Sequence, residues 1–166
     1  MGEQDITLKM LNGSFNFRVG AIILHSDKIL MVKNSGSSFY YTVGGRVKLG
    51  EAARDSLLRE AFEETQIQFE IDRLAFIHEN FFVLESNNEP FHEITLFFLM
   101  KPNAQVTEIK SYSFAEEYAE VMLHWLPIDA LKSLHIYPEF FKTELNGLST
   151  DVKHFITKGG VTYPAV

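Results

Sequence analysis

Apolar and polar positions alternate at the start of the chain, and that alternation predicts strands. Ile6 to Leu11 and Phe15 to Leu24 flank Asn12-Gly13, a pair suited to the positive φ angles of a tight hairpin turn. A second turn at Ser26-Asp27-Lys28 leads into an apolar strand over Ile29 to Val32. The polar run Asn34 to Ser38 then precedes a short aromatic and β-branched strand, Phe39 to Val43. Gly44 to Gly50 carries three glycines and two cations, which predicts a loop.

At Glu51 the pattern changes. The run EAARDSLLREAFEET, Glu51 to Thr65, has no Gly or Pro and is rich in Ala, Leu and Glu, so it predicts a helix. Strand signals return in Phe69 to Glu85 and, after the turn Asn87-Asn88-Glu89-Pro90, in Phe91 to Lys101. A polar segment holding Glu108 to Glu120 comes before an apolar strand, Val121 to Leu126. Pro127 opens a short helix through Leu134, and Pro138 opens another through about Leu145. Strands, a helix, strands and then helices suggest a mixed α/β sandwich with a helix packed on a sheet. Nothing marks a domain boundary, so one domain over residues 1–166 is expected.

Composition narrows the chemistry. The chain has no cysteine, which excludes disulfides, thiolate metal sites and Cys nucleophiles, and favours the cytoplasm. The polar, acidic start MGEQDITLK has no export-signal pattern, and no apolar run approaches the roughly 20 residues that cross a bilayer. With 15 Lys+Arg against 22 Asp+Glu, the formal charge is −7, which argues against nucleic acid or an anionic membrane as partner. A small phosphorylated ligand remains open if a cation held by carboxylates neutralises it.

The predicted helix supplies such carboxylates. At about 100° per residue, Glu60, Glu63 and Glu64 share one face, while Leu58, Ala61, Phe62 and Thr65 fall on the other side, towards a core. Like charges at these spacings repel, so three together make sense if a cation offsets the repulsion. Hard divalent ions take oxygen ligands, and Mg²⁺ combines a few carboxylates with waters and substrate phosphates. The adjoining glycines let the backbone approach a ligand closely, and Arg46, Lys48 and Arg59 can pair with phosphate oxygens or hold carboxylates in position.

Positions 45–67 resemble the Nudix box, G-x5-E-x7-R-E-U-x-E-E-x-G-U with U a bulky apolar residue. Gly45, Glu51, Arg59, Glu60, Glu63, Glu64 and Ile67 match; Ala61 is smaller than usual, Gln66 replaces the second glycine, and Val43 stands where many relatives have Pro. Gln66 is expected to strain or rearrange the helix end with the chemistry retained, because a left-handed residue there costs little only for glycine. The resemblance implies a Nudix-type α/β/α sandwich around a mixed β-sheet. It also implies a pyrophosphohydrolase, dependent on Mg²⁺ or Mn²⁺, acting on a nucleoside diphosphate linked to another moiety.

Carried over by residue, the resemblance assigns Glu60, Glu63 and Glu64 to the metal, with the Gly45 carbonyl region as a further ligand. Glu51 and Arg59 become a supporting pair that orients helix and loop. Relatives differ on whether the general base comes from the box or from a glutamate elsewhere; outside the box the candidates are Glu116, Glu117 and Glu120, then Glu93 on a strand, with Glu79 last and Glu117 the working assignment. Phe39, Tyr40, Tyr41, Phe81, Phe82 and Trp125 are candidates for stacking on a base, Tyr41 foremost, although most aromatics in such a chain belong to the core. Arg46 is the candidate phosphate contact. Many relatives are homodimers. The alternative from another class is a Nudix-like module that binds a nucleotide or metabolite without hydrolysing it.

Overall fold

The computed structural model describes residues 4–84, 86–109, 113–116 and 119–165, with 108, 113–116, 119 and 120 described by their backbone alone. Strand periodicity organises it around two cores. In β2 (Gly13–Ile22) Val19 and Ala21 face one core and Ile22 the other; in β4 (Lys28–Asn34) Leu30 and Val32 oppose Ile29 and Met31. Each strand buried on both faces reads as a nearly continuous apolar run.

The larger sheet runs in the order β1 (Thr7–Met10), β2, β8 (Glu89–Met100), β7 (Ile71–Leu84), β11 (Lys153–Lys158), β12 (Val161–Pro164). A short strand, β6 (Gly44–Arg46), also pairs with β2. The β2–β8 and β7–β11 pairs are parallel and the remaining pairs antiparallel, so the sheet is mixed. A second, antiparallel sheet orders β3 (Leu24–His25), β4, β10 (Ala119–Pro127), β9 (Ser113–Glu116), with β5 (Tyr41–Thr42) on β4. Helix α1 (Ala53–Thr65) buries Leu57 and Ala61 against Val19, Ala21 and Phe98. On the other side a 3₁₀ turn over 128–133 and the short α2 (Phe141–Glu144) cover Ile22, Phe76 and Phe97 with Leu131, Phe140 and Phe141. The result is the expected α/β/α sandwich around a mixed sheet. Among the described residues no helix is long and apolar enough to cross a membrane.

Several expectations are corrected. The first hairpin turns one residue early, through Leu11-Asn12, because Met10 pairs with Gly13. The second turns through Ser26-Asp27, both at positive φ, which matches the right-handed twist of the flanking strands. Of the predicted strand Phe39 to Val43 only Tyr41–Thr42 joins a ladder, and part of the predicted glycine loop is β6. The helices after Pro127 and Pro138 are mostly 3₁₀ turns, with one turn of α-helix. Strands β9, β11 and β12 were not expected; β9 falls in the polar segment, where no apolar alternation marks it. In α1, Phe62 is exposed whereas Glu64 is buried, since Leu57, Ala61 and Glu64 follow one another at helical spacing on the core side.

The helix end is less disturbed than Gln66 suggests. Gln66 adopts φ 60°, ψ 18° and its N–H caps Phe62 O at 2.8 Å, the arrangement a glycine would take. Its side-chain amide donates to Phe62 O at 3.2 Å and Glu63 O at 3.1 Å. These bonds offset a left-handed cost of about 1–2 kcal/mol, and α1 stays regular through Thr65.

Candidate active site

The site grows from the contact between β6 and α1. Gly44 and Gly45 pair with Gly20 and Val19 of β2, which fixes the strand beside the helix, against Glu60 and Glu64. At Gly45 a Cβ would fall inside the carboxylate of Glu60, so only glycine lets backbone and carboxylate meet there. One residue earlier, the Gly44 N–H donates to Glu64 Oε1 at 3.2 Å, and Glu64 is only 6% exposed. Glu63 lies further out, its side chain 55% exposed.

Arg59 is the hub. Its Nε and Nη2 donate to Oε1 and Oε2 of Glu51 at 2.9 and 3.0 Å, a bidentate fork, while Nη1 donates to Glu60 Oε1 at 2.7 Å and approaches Glu63 Oε2 at 3.4 Å. Nη2 also reaches Ser56 Oγ at 3.2 Å and the Arg46 carbonyl at 3.4 Å, and Ser56 Oγ donates to that carbonyl. Glu51 Oε2 accepts from the Lys48 N–H at 3.2 Å. One guanidinium thus ties the loop, the helix start and two of the three helical carboxylates together.

The charges respond to this arrangement. Hydrogen bonds from Arg59 hold the Glu51 carboxyl down at about 2, against the opposing effect of burial. The same bond raises Arg59 well above its ordinary value. Burial pushes Glu60 up, which the Arg59 guanidinium resists and the neighbouring Glu63 charge reinforces. Because the folded pKa of Glu51 lies below its ordinary 4.5, the stability it contributes is complete above that value and is lost as pH falls towards 2. Solvent reaches both partners, and screening limits the contribution to about 1–2 kcal/mol. Urea unfolding at about pH 6 and about pH 3 should show the wild type losing about that much more than Glu51→Gln. Equal losses would remove the pair from the stability of the fold.

Among the described residues no three His, Cys, Asp or Glu groups converge as a ready metal cage. Glu60 and Glu63 turn to the Arg59 guanidinium and Glu64 to the Gly44 amide. The donors are nevertheless all carboxylate oxygens on one helix, with a carboxyl pressed against a glycine backbone, a set that suits a hard divalent cation.

The other expected residues are more scattered. Arg46, the candidate phosphate contact, sits in β6 with Nη1 3.7 Å from Asp5 Oδ2. Tyr41 is half-buried in β5 opposite Val32 and packs on the helix-side core. Glu117 lies outside the described residues, and Glu116 and Glu120 belong to the paired ends of β9 and β10. Glu93 accepts from Asn16 Nδ2 at 3.2 Å, and Glu79 lies 3.0 Å from His92 Nε2 and 3.6 Å from His154 Nε2. Among the aromatics, Phe81 stacks on His92, Phe82 on Phe91, and Trp125 packs on the helix-side core. Sequence reasoning missed Arg18 and Asn16; the signal was there in β2, where Ser14, Asn16 and Arg18 alternate with Phe15, Phe17 and Val19.

A mixed sheet between helices, with a glycine strand feeding a carboxylate-bearing helix locked by one arginine, defines an α/β/α sandwich with an acidic loop–helix centre. The model of the NUDIX domain matches residues 15–143, and the chain belongs to the Nudix family. No curated protein matches the sequence. Among solved structures, the MutT mutator protein from Bacillus halodurans shares 17% identity over 87% of this chain and 91% of its own, at a TM-score of 0.59. An ADP-ribose pyrophosphatase from Streptococcus suis shares 17% identity over 86% and 98%, at 0.54. A UDP-X diphosphatase shares 20% identity over 79% of this chain at 0.53, and the present chain spans only 59% of its length. At these identities the likeness is one of fold.

Proposed function

We propose that this protein is a divalent-metal-dependent pyrophosphohydrolase acting on a nucleoside diphosphate linked to another moiety. One observation carries the reading: Glu60 is seated against Gly45 and Glu64 against the Gly44 amide, on a helix that Arg59 fastens to the loop through Glu51. Two structural neighbours are named for ADP-ribose and for UDP-X, both nucleoside diphosphates carrying a further group.

Glu60, Glu63 and Glu64, with the Gly45 carbonyl, would hold Mg²⁺ or Mn²⁺. Held there, such a cation would supply charge neutralisation for the diphosphate and Lewis acidity towards water. The rest falls to the chain. Arg59 holds the Glu60 carboxylate in place by a hydrogen bond and opposes the upward push that burial gives it. Glu51 takes up the remaining charge of Arg59, so that guanidinium acts as a brace. Arg46 offers its side chain, 43% exposed, to a phosphoryl oxygen. Proton acceptance from the attacking water belongs to a carboxylate among Glu93, Glu79 and the acidic run 116–120. The lack of cysteine fits a reducing cytoplasm.

A hydrolysis panel tests the reading. Nucleoside triphosphates, nucleotide sugars, ADP-ribose and dinucleoside polyphosphates would be incubated with Mg²⁺ or Mn²⁺ and the products resolved by chromatography. Metal-dependent release of a nucleoside phosphate, abolished by EDTA, is expected. Absence of turnover across the panel, with nucleotide binding retained, would instead establish a binding module.

A further inference from the structure

The antiparallel pairing of β2 with β6 sets two arginines directly opposite one another, Arg18 against Arg46. Like charges at a directly paired position destabilise a sheet, so their juxtaposition calls for an anion. The protein's own acids answer only loosely. Arg46 Nη1 lies 3.7 Å from Asp5 Oδ2, and Arg18 Nε lies 4.0 Å from Glu93 Oε2. The Arg59–Glu51 contact, at 2.9 Å, shows how tightly this fold holds a guanidinium it uses as a brace.

Among the described residues neither the Arg18 nor the Arg46 guanidinium completes a hydrogen bond. Their side chains are 32% and 43% exposed. Glu93 is itself anchored, accepting from Asn16 Nδ2 at 3.2 Å, and Asn16 Oδ1 accepts from Thr7 Oγ1 at 2.9 Å. Arg18 therefore lies beside a part-buried network without a hydrogen bond to it among the described residues. Next to Arg46 in β6 stands Gly45, against the Glu60 carboxylate, and the Arg46 carbonyl is bonded to Arg59 and Ser56.

We propose that Arg18 and Arg46 form a clamp for the phosphoryl oxygens of a diphosphate, with Asn16 and Glu93 positioning the Arg18 fork. Planar guanidinium forks match phosphate geometry, and two on adjacent strands beside the carboxylate helix supply the positive charge that an acidic protein otherwise lacks there. The clamp rests on the reading of this site as a pyrophosphohydrolase centre.

Methylenediphosphonate has neither a scissile P–O–P bridge nor a base, so its binding reports the clamp alone. It would be titrated calorimetrically in Mg²⁺ into the wild type, Arg18→Ala, Arg18→Lys, Arg46→Ala and the exposed-helix control Arg54→Ala. Arg18→Ala should weaken binding about tenfold or more, with Arg18→Lys intermediate because the fork is lost, and Arg54→Ala within about twofold of wild type. The Mg²⁺-induced rise in melting temperature should be the same in Arg18→Ala as in the wild type. If Arg18→Ala fails to fold, Arg18→Gln, which keeps a donor towards Glu93, gives the same comparison.

Wild-type affinity in the Arg18 variants, loss of the Mg²⁺ shift together with the ligand, or no binding by the wild type would each overturn the clamp. A wild type that binds the diphosphonate through Arg18 but hydrolyses no nucleotide would sink the hydrolase reading and leave the clamp standing. An active wild type whose Arg18 variants bind normally would do the reverse.

Discussion

Glu64→Gln is expected to reduce hydrolysis by about 10³-fold while the protein stays folded. The substitution keeps the shape of the side chain, and its amide oxygen can still accept the Gly44 N–H that Glu64 Oε1 now accepts at 3.2 Å. What it removes is a negative charge at a position only 6% exposed. Because the Gly44 N–H keeps its acceptor, the metal-free variant should stay folded and melt close to the wild type. With Mg²⁺ the wild type should melt higher than the variant, because it gains linkage stabilisation that the variant has lost. Melting curves with and without Mg²⁺, together with steady-state kinetics, separate this from simple unfolding. Activity within about tenfold of wild type would place Glu64 outside the reacting centre.

The same residue shows how far the sequence reaches. The spacing from Gly45 through Glu51 and Arg59 to Glu64 marked the loop and the helix, and in the structure Arg59 makes a bidentate bond to Glu51. Spacing alone did not reveal that Glu64 shares the buried stripe with Leu57 and Ala61 while Phe62 faces out. That follows from the angle at which α1 meets the sheet, which is a tertiary property. Arg18 was hidden for a related reason: its partner Arg46 is 28 positions away, and only the β2–β6 register brings the two side by side. The final hairpin was not read from the sequence, although Gly159-Gly160, both at positive φ, follows the ordinary pattern of a tight turn. The acidic total of −7 changes meaning as well, because Glu51, Asp55, Glu60, Glu63 and Glu64 fall in one short stretch of loop and helix.

Gly45→Ala should disturb the reacting centre with a single methyl group. The added Cβ would enter the space of the Glu60 carboxylate. That carboxylate has little freedom to retreat, since Arg59 Nη1 holds its Oε1 at 2.7 Å and Arg59 is itself clamped on Glu51. The strand cannot easily retreat either, because Gly45 is in register with Val19 and the next residue's carbonyl is bonded to Ser56 and Arg59. Either the carboxylate rotates off its position or β6 shifts, and both displace the reacting centre. A stability loss of about 1–3 kcal/mol and a fall in kcat/KM of about 10²-fold or more are expected. Gly50→Ala is the contrast: it sits at φ 85° with open space around its Cβ, so it should cost about 1–2 kcal/mol of backbone strain and leave kcat/KM near wild type. Adding Glu60→Ala to Gly45→Ala should restore part of the lost stability, a coupling opposite in sign to simple addition, because the clash disappears with the carboxylate. Purely additive effects in that cycle would show that the Gly45 backbone and the Glu60 carboxylate do not meet in solution.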